Sequence, residues 1–308
     1  MLIKTKETFV EALENGCIVN IDSKRELEWI NEIEEEKRVI GIRINFDIEK
    51  MCPGQSQCPD EGGRFGFCYE NKELAKVITL LHEKKVRIAG IHLHTSSKSR
   101  GLEIYRAIAK VACEIQKEFK LELDYIDVGG GFFGGLPTKP QFEEYIIMME
   151  SILSECFDKN KTKLILEPGM AVVGAPVSYV STVIDVKETP YNRFVVTDGT
   201  RTSIDPLMTK TNYFHSFVTD GERELHPKQV ICGYTCMEHD RLFEEKNGII
   251  LREGDKIVYN KVGAYTMCLT PLFIKYFPDV YVEDAGQYVK VREAWKPEQY
   301  IMNSKIEE

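Results

Sequence analysis

The sequence predicts an α/β protein in which alternating strands and helices are followed by a region of consecutive strands. Up to about residue 175, short β-branched runs alternate with amphipathic helical stretches. Beyond that point, strand-like runs follow one another with turns between them. The first pattern indicates parallel strands joined by helical crossovers, and the second indicates an antiparallel β domain. We therefore expect two domains, at residues 1–175 and 176–308.

In the first region, each predicted strand precedes a helical stretch, except the last. The strand-like runs are "CIVNI", "RVIGIRINF", "VRIAGIHLH", "LDYIDV" and "KLILE". The helical stretches are "SKRELEWINEIEEE", "NKELAKVITLLHE", "LEIYRAIAKVACEIQKEF" and "PQFEEYIIMMESILSECF". In the second region the strand-like runs are "PVSYVSTVIDVKE", "RFVVTDG", "KQVICGY", "KIVYNKV", "VYVED" and "QYVKVREAW".

Composition restricts the class of protein. The chain has 308 residues, 43% of them hydrophobic, which is enough for a sizeable buried core. A formal charge of −9 at pH 7, without a dense Lys/Arg cluster, argues against nucleic acid and anionic membranes as partners. No apolar run has the length of a membrane span, and the first residues lack the features of a signal peptide. We expect a cytoplasmic protein that acts on small molecules.

The cysteines predict neither a disulfide framework nor a metal site. There are nine, an odd number without regular spacing, which suits a reducing compartment. Cys52 and Cys58 are close in sequence, but no second Cys/His pair nearby completes four ligands. We therefore predict no metal.

Polar motifs stand at the carboxyl ends of three successive predicted strands: "HLHTSS", "GGGFFGG" and "EPG". Each alone has an ordinary structural explanation, as a lone histidine or a turn. In a parallel barrel, however, the active site lies on the face formed by the strand carboxyl ends. The three motifs together therefore predict one site.

The chemistry of that site follows from its residue types. Gly129, Gly130 and Gly131 permit close approach to backbone N–H groups shortly before a helix, which suits a phosphate monoester. This is not the dinucleotide fingerprint, because no G-x-G-x-x-G opens a helix with an acid about 20 residues later. His94 could stack on an aromatic ring, and Glu167 could keep a ring nitrogen protonated. These are the requirements of pyridoxal phosphate, whose protonated ring withdraws electrons.

Seven motifs, in order, resemble the fold III pyridoxal-phosphate-dependent decarboxylases, the group that acts on ornithine, arginine and diaminopimelate. They are "RFGF", "GIHLHTSS", "IDVGGGF", "LEPG", "VTDG", "GYTCMEHDRL" and "VGAYT". The resemblance extends to about residue 285 and implies an amino-acid decarboxylase. It also implies a partial (β/α)8 TIM-like barrel of the alanine-racemase type, followed by the antiparallel β domain.

The resemblance also assigns roles to residues. It makes His94 the ring-stacking histidine, and Cys236 a catalytic residue that enters from the other subunit of a head-to-tail dimer and acts on the carbanion left by decarboxylation. It implies that Arg64 and Asp240 pair across that dimer. The residues that it implies for cofactor binding are His94, Ser97, Gly129, Gly130, Gly131, Glu167, Gly169 and Tyr265.

Three departures from the family pattern concern ligand contacts. Met170 stands where the family commonly has a phosphate-binding arginine. Met237 follows the motif cysteine where an acid is usual, with Glu238 displaced by one. The arginine that grips the distal carboxylate of diaminopimelate is not evident around Asp205. We therefore do not expect diaminopimelate itself as the substrate.

The largest departure is at the beginning of the sequence. The family's Schiff-base lysine lies in a stretch resembling Tyr-Ala-x-Lys-Ala, which this sequence lacks. Lys4 ends a short apolar run, but its surroundings resemble a later strand–helix unit of the family. We expect the lysine and about two barrel strands to be missing, so that the chain is not a stable monomer and another chain completes the site.

Two alternatives to a decarboxylase polypeptide stay open at this point. The first is a lysine-less, non-catalytic regulator or partner of a true decarboxylase. The second is a barrel enzyme that acts on a sugar phosphate, for which the glycine loop alone would suffice.

Overall fold

The computed structural model describes residues 4–305. Contacts within the chain divide it into two units, Met1–Val172 and Val173–Glu308. Among residues 4–305, no helix combines the length and the apolarity that a membrane-spanning helix requires.

The first unit is a parallel sheet with helical crossovers. In the described part of the chain its strand order is β1-β2-β4-β5-β6, and β3 pairs in parallel with the end of β2. The strands are β1 Asn20–Ile21, β2 Val39–Asn45, β3 Phe67–Cys68, β4 Arg87–His92, β5 Tyr125–Asp127 and β6 Lys163–Ile165. The helices are α1 Lys6–Glu14, α2 Lys24–Trp29, α3 Ile48–Met51, α4 Glu73–Glu83, α5 Leu102–Phe119, α6 Phe142–Leu153 and α7 Met170–Val173.

Local sequence explains where these helices begin and end. The backbone N–H of Ser23 donates to the carboxylate of Glu26 three residues later, which satisfies a free donor at the start of α2. Two single 3₁₀ turns, Ile30–Glu32 and Glu35–Lys37, follow α2, so that "SKRELEWINEIEEE" is not one helix. By contrast, α5 has a continuous apolar stripe and spans all 18 residues of its predicted stretch.

Strand alternation separates the two faces of this sheet. Side chains such as Ile42, Ile91 and Leu93 are fully buried in the core. Arg43 and His92 lie between them in sequence and therefore project from the opposite face. The apolar face holds the helices, and the opposite face carries polar side chains.

The second unit is a β domain, as predicted, but its main sheet is mixed. The strand order is β11-β10-β8-β7-β12-β9, and β13 and β14 form a separate antiparallel pair. The strands are β7 Tyr179–Glu188, β8 Arg193–Thr197, β9 Phe214–Val218, β10 Leu225–Cys232, β11 Arg241–Ile249, β12 Lys256–Asn260, β13 Val280–Asp284 and β14 Gln287–Arg292. The short helices are α8 Arg201–Ile204 and α9 Pro297–Tyr300.

One pairing differs from the wholly antiparallel expectation, because β8 and β10 run parallel. The chain between them forms α8 and then β9, and β9 pairs with β12 rather than with β8. This long excursion returns the chain to the end of the sheet where β8 began.

Candidate functional site

The site of the first unit is a row of polar side chains at the carboxyl ends of three neighbouring strands. In the sheet register, Arg43 of β2 is the partner of His92 of β4, and His92 is the partner of Asp127 of β5. All three side chains are buried, at 3–7% exposure. A row of buried charged and polar groups is rare in a core and commonly marks a functional site.

The next row of the same face, toward the amino ends of the strands, closes the sheet beneath these residues. Asn20, Gly41, Gly90 and Tyr125 are successive register partners across β1, β2, β4 and β5. The Tyr125 hydroxyl donates to Asn20 Oδ1 over 2.7 Å. A Cβ on Gly90 would lie 2.1–2.4 Å from the Tyr125 ring, so only glycine leaves room for it. The tyrosine ring therefore forms the floor of the site.

Beyond the polar row, His94 and the glycine loop approach each other closely. The backbone N–H of Gly129 donates to Asp127 Oδ1 (2.9 Å), and the N–H of Glu167 donates to the carbonyl of Gly129 (2.8 Å). A Cβ on Gly129 would lie 2.4 Å from Cβ of His94, and one on Gly130 would lie 2.3 Å from the carbonyl oxygen of Glu167. His94, the first two glycines and Glu167 are thus brought together.

Left-handed backbone and aromatic contacts shape the glycine loop. Gly129 has φ +69° and Gly131 has φ +92°, values that side chains disfavour. The hydroxyl of Tyr105 donates to the carbonyl of Gly130 over 2.7 Å. Ser97 is buried, and its hydroxyl oxygen accepts from the backbone N–H of Arg100 at 3.2 Å.

Arg43 carries positive charge into the polar row. Burial lowers the pKa of its guanidinium, while Asp22, Glu167 and Asp127 favour the charged form. Its Nε lies 3.9 Å from Asp22 Oδ1 and has no hydrogen-bond partner among the described residues. Its Cζ lies 4.6 Å from the centre of the Phe65 ring.

Burial and the charge of Arg43 keep both histidines of this region neutral. Together with His94, these effects lower the pKa of His92 to about 3, and burial followed by Arg43 lowers the pKa of His94. The approach of His92 Nε2 to Glu167 Oε2, 3.9 Å, is therefore not an ion pair at neutral pH. Within the described residues, His92 Nε2 and His94 Nδ1 are buried nitrogens without a hydrogen-bond partner.

Asp127 holds a proton more strongly than an exposed aspartate. Burial raises its pKa to about 6; the hydrogen bond from Gly129 and the charge of Arg43 oppose the shift, and Glu167 adds to it. Ligand atoms of His92, Asp127 and Glu167 lie within 4.8 Å of one another, a spacing that a cation could bridge. The nearby Arg43 disfavours a cation there.

Sequence reasoning missed Arg43, His92 and Asp127. A signal was present, because His92 and Asp127 stand two residues before His94 and Gly129 in their strands. Side chains two apart in a strand share one face, so the period of two extends the site inward from the residues already named.

The remaining predicted site residues lie in the second unit or elsewhere in the first. Cys236 and Tyr265 are exposed in the second unit, and Tyr265 has φ +63°. Asp205 is buried there and pairs with Arg201 at 3.3 Å. In the first unit, Gly169 is exposed and a Cβ on it would meet nothing within 4 Å.

Lys4 does not join the polar row in any contact of the described residues. Its Nζ donates to Glu26 Oε1, and both side chains are nearly buried. The other oxygen of Glu26 accepts the backbone N–H groups of Asp22 and Ser23. The lysine thus neutralises a carboxylate that caps α2.

Comparison with known proteins agrees with the motifs and with the fold. Residues 2–174 match the pyridoxal-binding domain of the pyridoxal-dependent decarboxylases. Residues 104–263 match the C-terminal sheet domain of the same enzymes.

Curated relatives carry related names. A probable chloroplastic diaminopimelate decarboxylase of Oryza sativa subsp. japonica is 24% identical over 97% of this chain and 63% of its own length. An ornithine decarboxylase of Caenorhabditis elegans is 26% identical over 70% of this chain and 54% of its own length. The chain spans less than two thirds of the length of these relatives.

Solved structures confirm the barrel-type fold expected of the first unit and the β domain that follows it. A diaminopimelate decarboxylase from M. jannaschii in complex with L-lysine has a TM-score of 0.81 at 22% identity, covering 99% of this chain and 73% of that one. A Chlorella virus arginine decarboxylase bound to agmatine has a TM-score of 0.73 at 19% identity, covering 88% and 73%. The match to the pyridoxal-binding domain covers more than half of this chain, and the chain therefore belongs to the pyridoxal-dependent decarboxylase family.

Proposed function

We propose that this chain binds pyridoxal 5'-phosphate and forms the cofactor-binding part of an amino-acid decarboxylase. The observation that carries the proposal is the contact of His94 with Gly129, beside the carboxylate of Glu167. The relatives named as diaminopimelate, ornithine and arginine decarboxylases support the reaction class.

The residues fit each part of the cofactor. The glycine loop offers close backbone approach for a phosphate, and the buried Ser97 would contribute a hydroxyl to it. The His94 imidazole is neutral, its Nδ1 has no hydrogen-bond partner among residues 4–305, and it offers a flat face for the ring. Glu167 is 56% exposed at its side chain and is free to accept an N–H from the ring nitrogen.

Four residues of the first unit then have separate roles. When bound, pyridoxal phosphate supplies an electron sink for the bond that is broken. Glu167 holds a proton on the ring nitrogen, and Arg43 lies near enough to attract the negative charge of that carboxylate. His92 is neutral beside Glu167 and therefore does not compete for its charge. The Tyr125 floor excludes water beneath the row.

The second unit completes the proposal through two residues. Cys236 would donate a proton to the carbon that has lost carbon dioxide, from the other subunit of a dimer, and its exposure on this chain suits that role. Tyr265 would contact the phosphate, and its hydroxyl is available because the side chain is exposed. We assign the substrate only as an amino acid or an amino-acid derivative, because Met237 replaces an acid that helps to read the substrate in the resembling family.

The test is a visible-absorbance titration of the 308-residue chain with pyridoxal phosphate, followed by borohydride reduction and dialysis. We expect saturable binding. Retention of the chromophore after reduction would locate a Schiff-base lysine on this chain, and peptide mapping would identify it, with Lys4→Arg as the variant to compare. Saturable binding without retention supports a lysine on another chain. Absence of binding contradicts the proposal.

A further inference from the structure

Within the described part of the chain, Arg100 places a positive charge near Met170 and Phe133 without an acidic partner. Its Nη1 lies 2.8 Å from the sulfur of Met170, and its Cζ lies 5.9 Å from the centre of the Phe133 ring. The side chain is half-buried. Across residues 4–305, no carboxylate oxygen lies within 4.0 Å of its nitrogens.

A thioether is a poor partner for a guanidinium. Sulfur is a weak acceptor, whereas the guanidinium carries five donors that match the geometry of carboxylate and phosphate. The half-buried Arg223 illustrates the usual arrangement, because it pairs with Asp255 at 2.9 Å. Arg100 therefore has unused hydrogen-bonding capacity in a partly dry position, which suits an anion.

The main chain of Arg100 is fixed to the residues that shape the phosphate loop. Its N–H donates to Ser97 Oγ (3.2 Å), and its carbonyl accepts from the Tyr145 hydroxyl (2.6 Å). The ring of Tyr145 packs edge-on against Tyr105 with centres 4.9 Å apart. Tyr105 in turn donates to the carbonyl of Gly130. One aromatic pair thus holds both Arg100 and the glycine loop.

We propose that Arg100 is a phosphate-binding residue, whose guanidinium exchanges the Met170 sulfur for the phosphate oxygens of the ligand. This inference rests on the proposed binding of pyridoxal phosphate. It adds the residue whose positive charge would balance the negative charge of the phosphate. Position 170, where the resembling family commonly has an arginine, is a methionine here. The flexible thioether packs against the guanidinium without competing for an anion.

Lys139 is the rival cation. Its Nζ lies 5.3 Å from the centre of the same Phe133 ring, but its side chain is exposed. An exposed ammonium is strongly hydrated and contributes less to binding than a partly buried guanidinium. Lys139→Gln is therefore the matched control, since it removes one positive charge next to the same aromatic residue.

The experiment compares the affinities of pyridoxal phosphate and pyridoxal for wild type, Arg100→Gln, Arg100→Lys and Lys139→Gln. We expect Arg100→Gln to weaken pyridoxal phosphate about 10- to 100-fold, the usual effect of a charge-assisted hydrogen bond, and to leave pyridoxal unchanged. Arg100→Lys should lie between, because an ammonium keeps the charge without the bidentate geometry. Lys139→Gln should match wild type. Inorganic phosphate should compete with pyridoxal phosphate in wild type and far less in Arg100→Gln.

The outcomes separate the two proposals. If wild type prefers pyridoxal phosphate and Arg100→Gln keeps that preference, the role of Arg100 is wrong and the proposed function stands. If Arg100→Gln weakens the binding of pyridoxal phosphate and pyridoxal equally, Arg100 has only a structural role. If Lys139→Gln loses the preference for pyridoxal phosphate over pyridoxal, Lys139 is the phosphate-binding cation instead. A wild type that binds no pyridoxal phosphate overturns both. Should Arg100→Gln not fold, Arg100→Lys decides, since a value equal to wild type excludes bidentate binding.

Discussion

Gly129 lies against the imidazole of His94 so closely that a Cβ at position 129 would come within 2.4 Å of His94 Cβ and 2.5 Å of Nδ1. Contacts that short do not occur between real atoms, so the histidine or the loop would have to move. Gly129 also has φ +69°. The glycine therefore fixes the distance between the glycine loop and the His94 ring.

The first prediction concerns this contact. Gly129→Ala should weaken pyridoxal phosphate binding about 5- to 150-fold, because overpacking displaces a neighbour at a cost of about 1–3 kcal/mol. Gly62→Ala is the control: Gly62 has φ +75°, similar backbone strain, but nothing lies within 4 Å of its Cβ position. Absorbance titration of both variants separates the clash from the strain. Equal affinities would exclude the contact as a determinant.

The second prediction concerns Glu167. Glu167→Gln should leave the bound ring nitrogen unprotonated, because a neutral amide no longer favours the pyridinium. The ¹⁵N chemical shift of labelled pyridoxal phosphate should move from the protonated to the neutral range, with the fold intact. Glu122→Gln, at an exposed acid, is the control for lost charge. Where decarboxylation can be measured, the Gln variant should be slower, and an untouched rate would refute this role.

Much of the fold was predictable because it depends on local periodicity. The stripe of buried residues on α5 repeats along 18 residues, and the predicted helix coincides with it. β11 was not predicted, because "RLFEEKNGI" has little apolar alternation and is stabilised mainly by its pairing with β10. The parallel pairing of β8 and β10 depends on where β9 pairs, a long-range contact without a local signal.

The site was predictable where it carries a motif. Strand-end position identified His94 and Glu167, and the structure brings them together beside Gly129 and Gly130. Arg43 was missed because a single charged residue in "RVIGIRINF" could equally belong to a solvent-exposed edge of the strand. Only the sheet register places it beside His92. The contact between Arg100 and Met170 likewise has no local sequence signal, since the two residues are 70 apart in sequence.

The third prediction is a pH dependence of stability that comes from His92. Its pKa is lowered to about 3 in the folded protein, mainly by burial and by Arg43, against about 6.5 in the unfolded chain. The unfolded state therefore binds more protons between these values, and the free energy of unfolding falls as the pH drops below about 6.5. The fall in the free energy of unfolding that is due to His92 would be complete near pH 3, the pKa of His92 in the folded protein.

Denaturant unfolding of the ligand-free protein from about pH 4.5 to about pH 7.5 checks this prediction. This range starts above the pKa of His92 in the folded protein and ends above its pKa in the unfolded chain. The difference in unfolding free energy between wild type and His92→Gln should shrink or reverse as the pH falls, because glutamine does not titrate. His82→Gln, at an exposed position of α4, is the control for replacement of a histidine. A pH-independent difference for His92→Gln would contradict a neutral, buried His92.

The fourth prediction concerns Arg64 and Asp240, which the family resemblance expects to pair across a dimer. Asp240 is 2% exposed and already accepts hydrogen bonds within its own unit, from Thr200 Oγ1 at 3.0 Å, from the N–H of Arg201 at 2.8 Å and from Thr235 Oγ1 at 2.6 Å. Asp240→Ala would strand these donors and should lower the free energy of unfolding by about 3 kcal/mol or more. Any loss of dimer in that variant would therefore be ambiguous.

Arg64 offers the cleaner test of the same interface. It is exposed, and its Cζ lies 4.0 Å from the Phe65 ring. If Arg64 pairs with Asp240 of another subunit, Arg64→Ala should shift the assembly toward monomer in sedimentation velocity. The reason is that loss of one partner of a desolvated pair typically costs about 3–5 kcal/mol of association free energy. The unfolding transition should stay near that of wild type. Arg25→Ala is the matched control, because Arg25 is exposed and lies 5.0 Å above the ring of Trp29. If Arg64→Ala sediments like Arg25→Ala and wild type, Arg64 and Asp240 do not pair across a dimer. Asp240 would then act only within the β domain, through its hydrogen bonds with Thr200, Arg201 and Thr235.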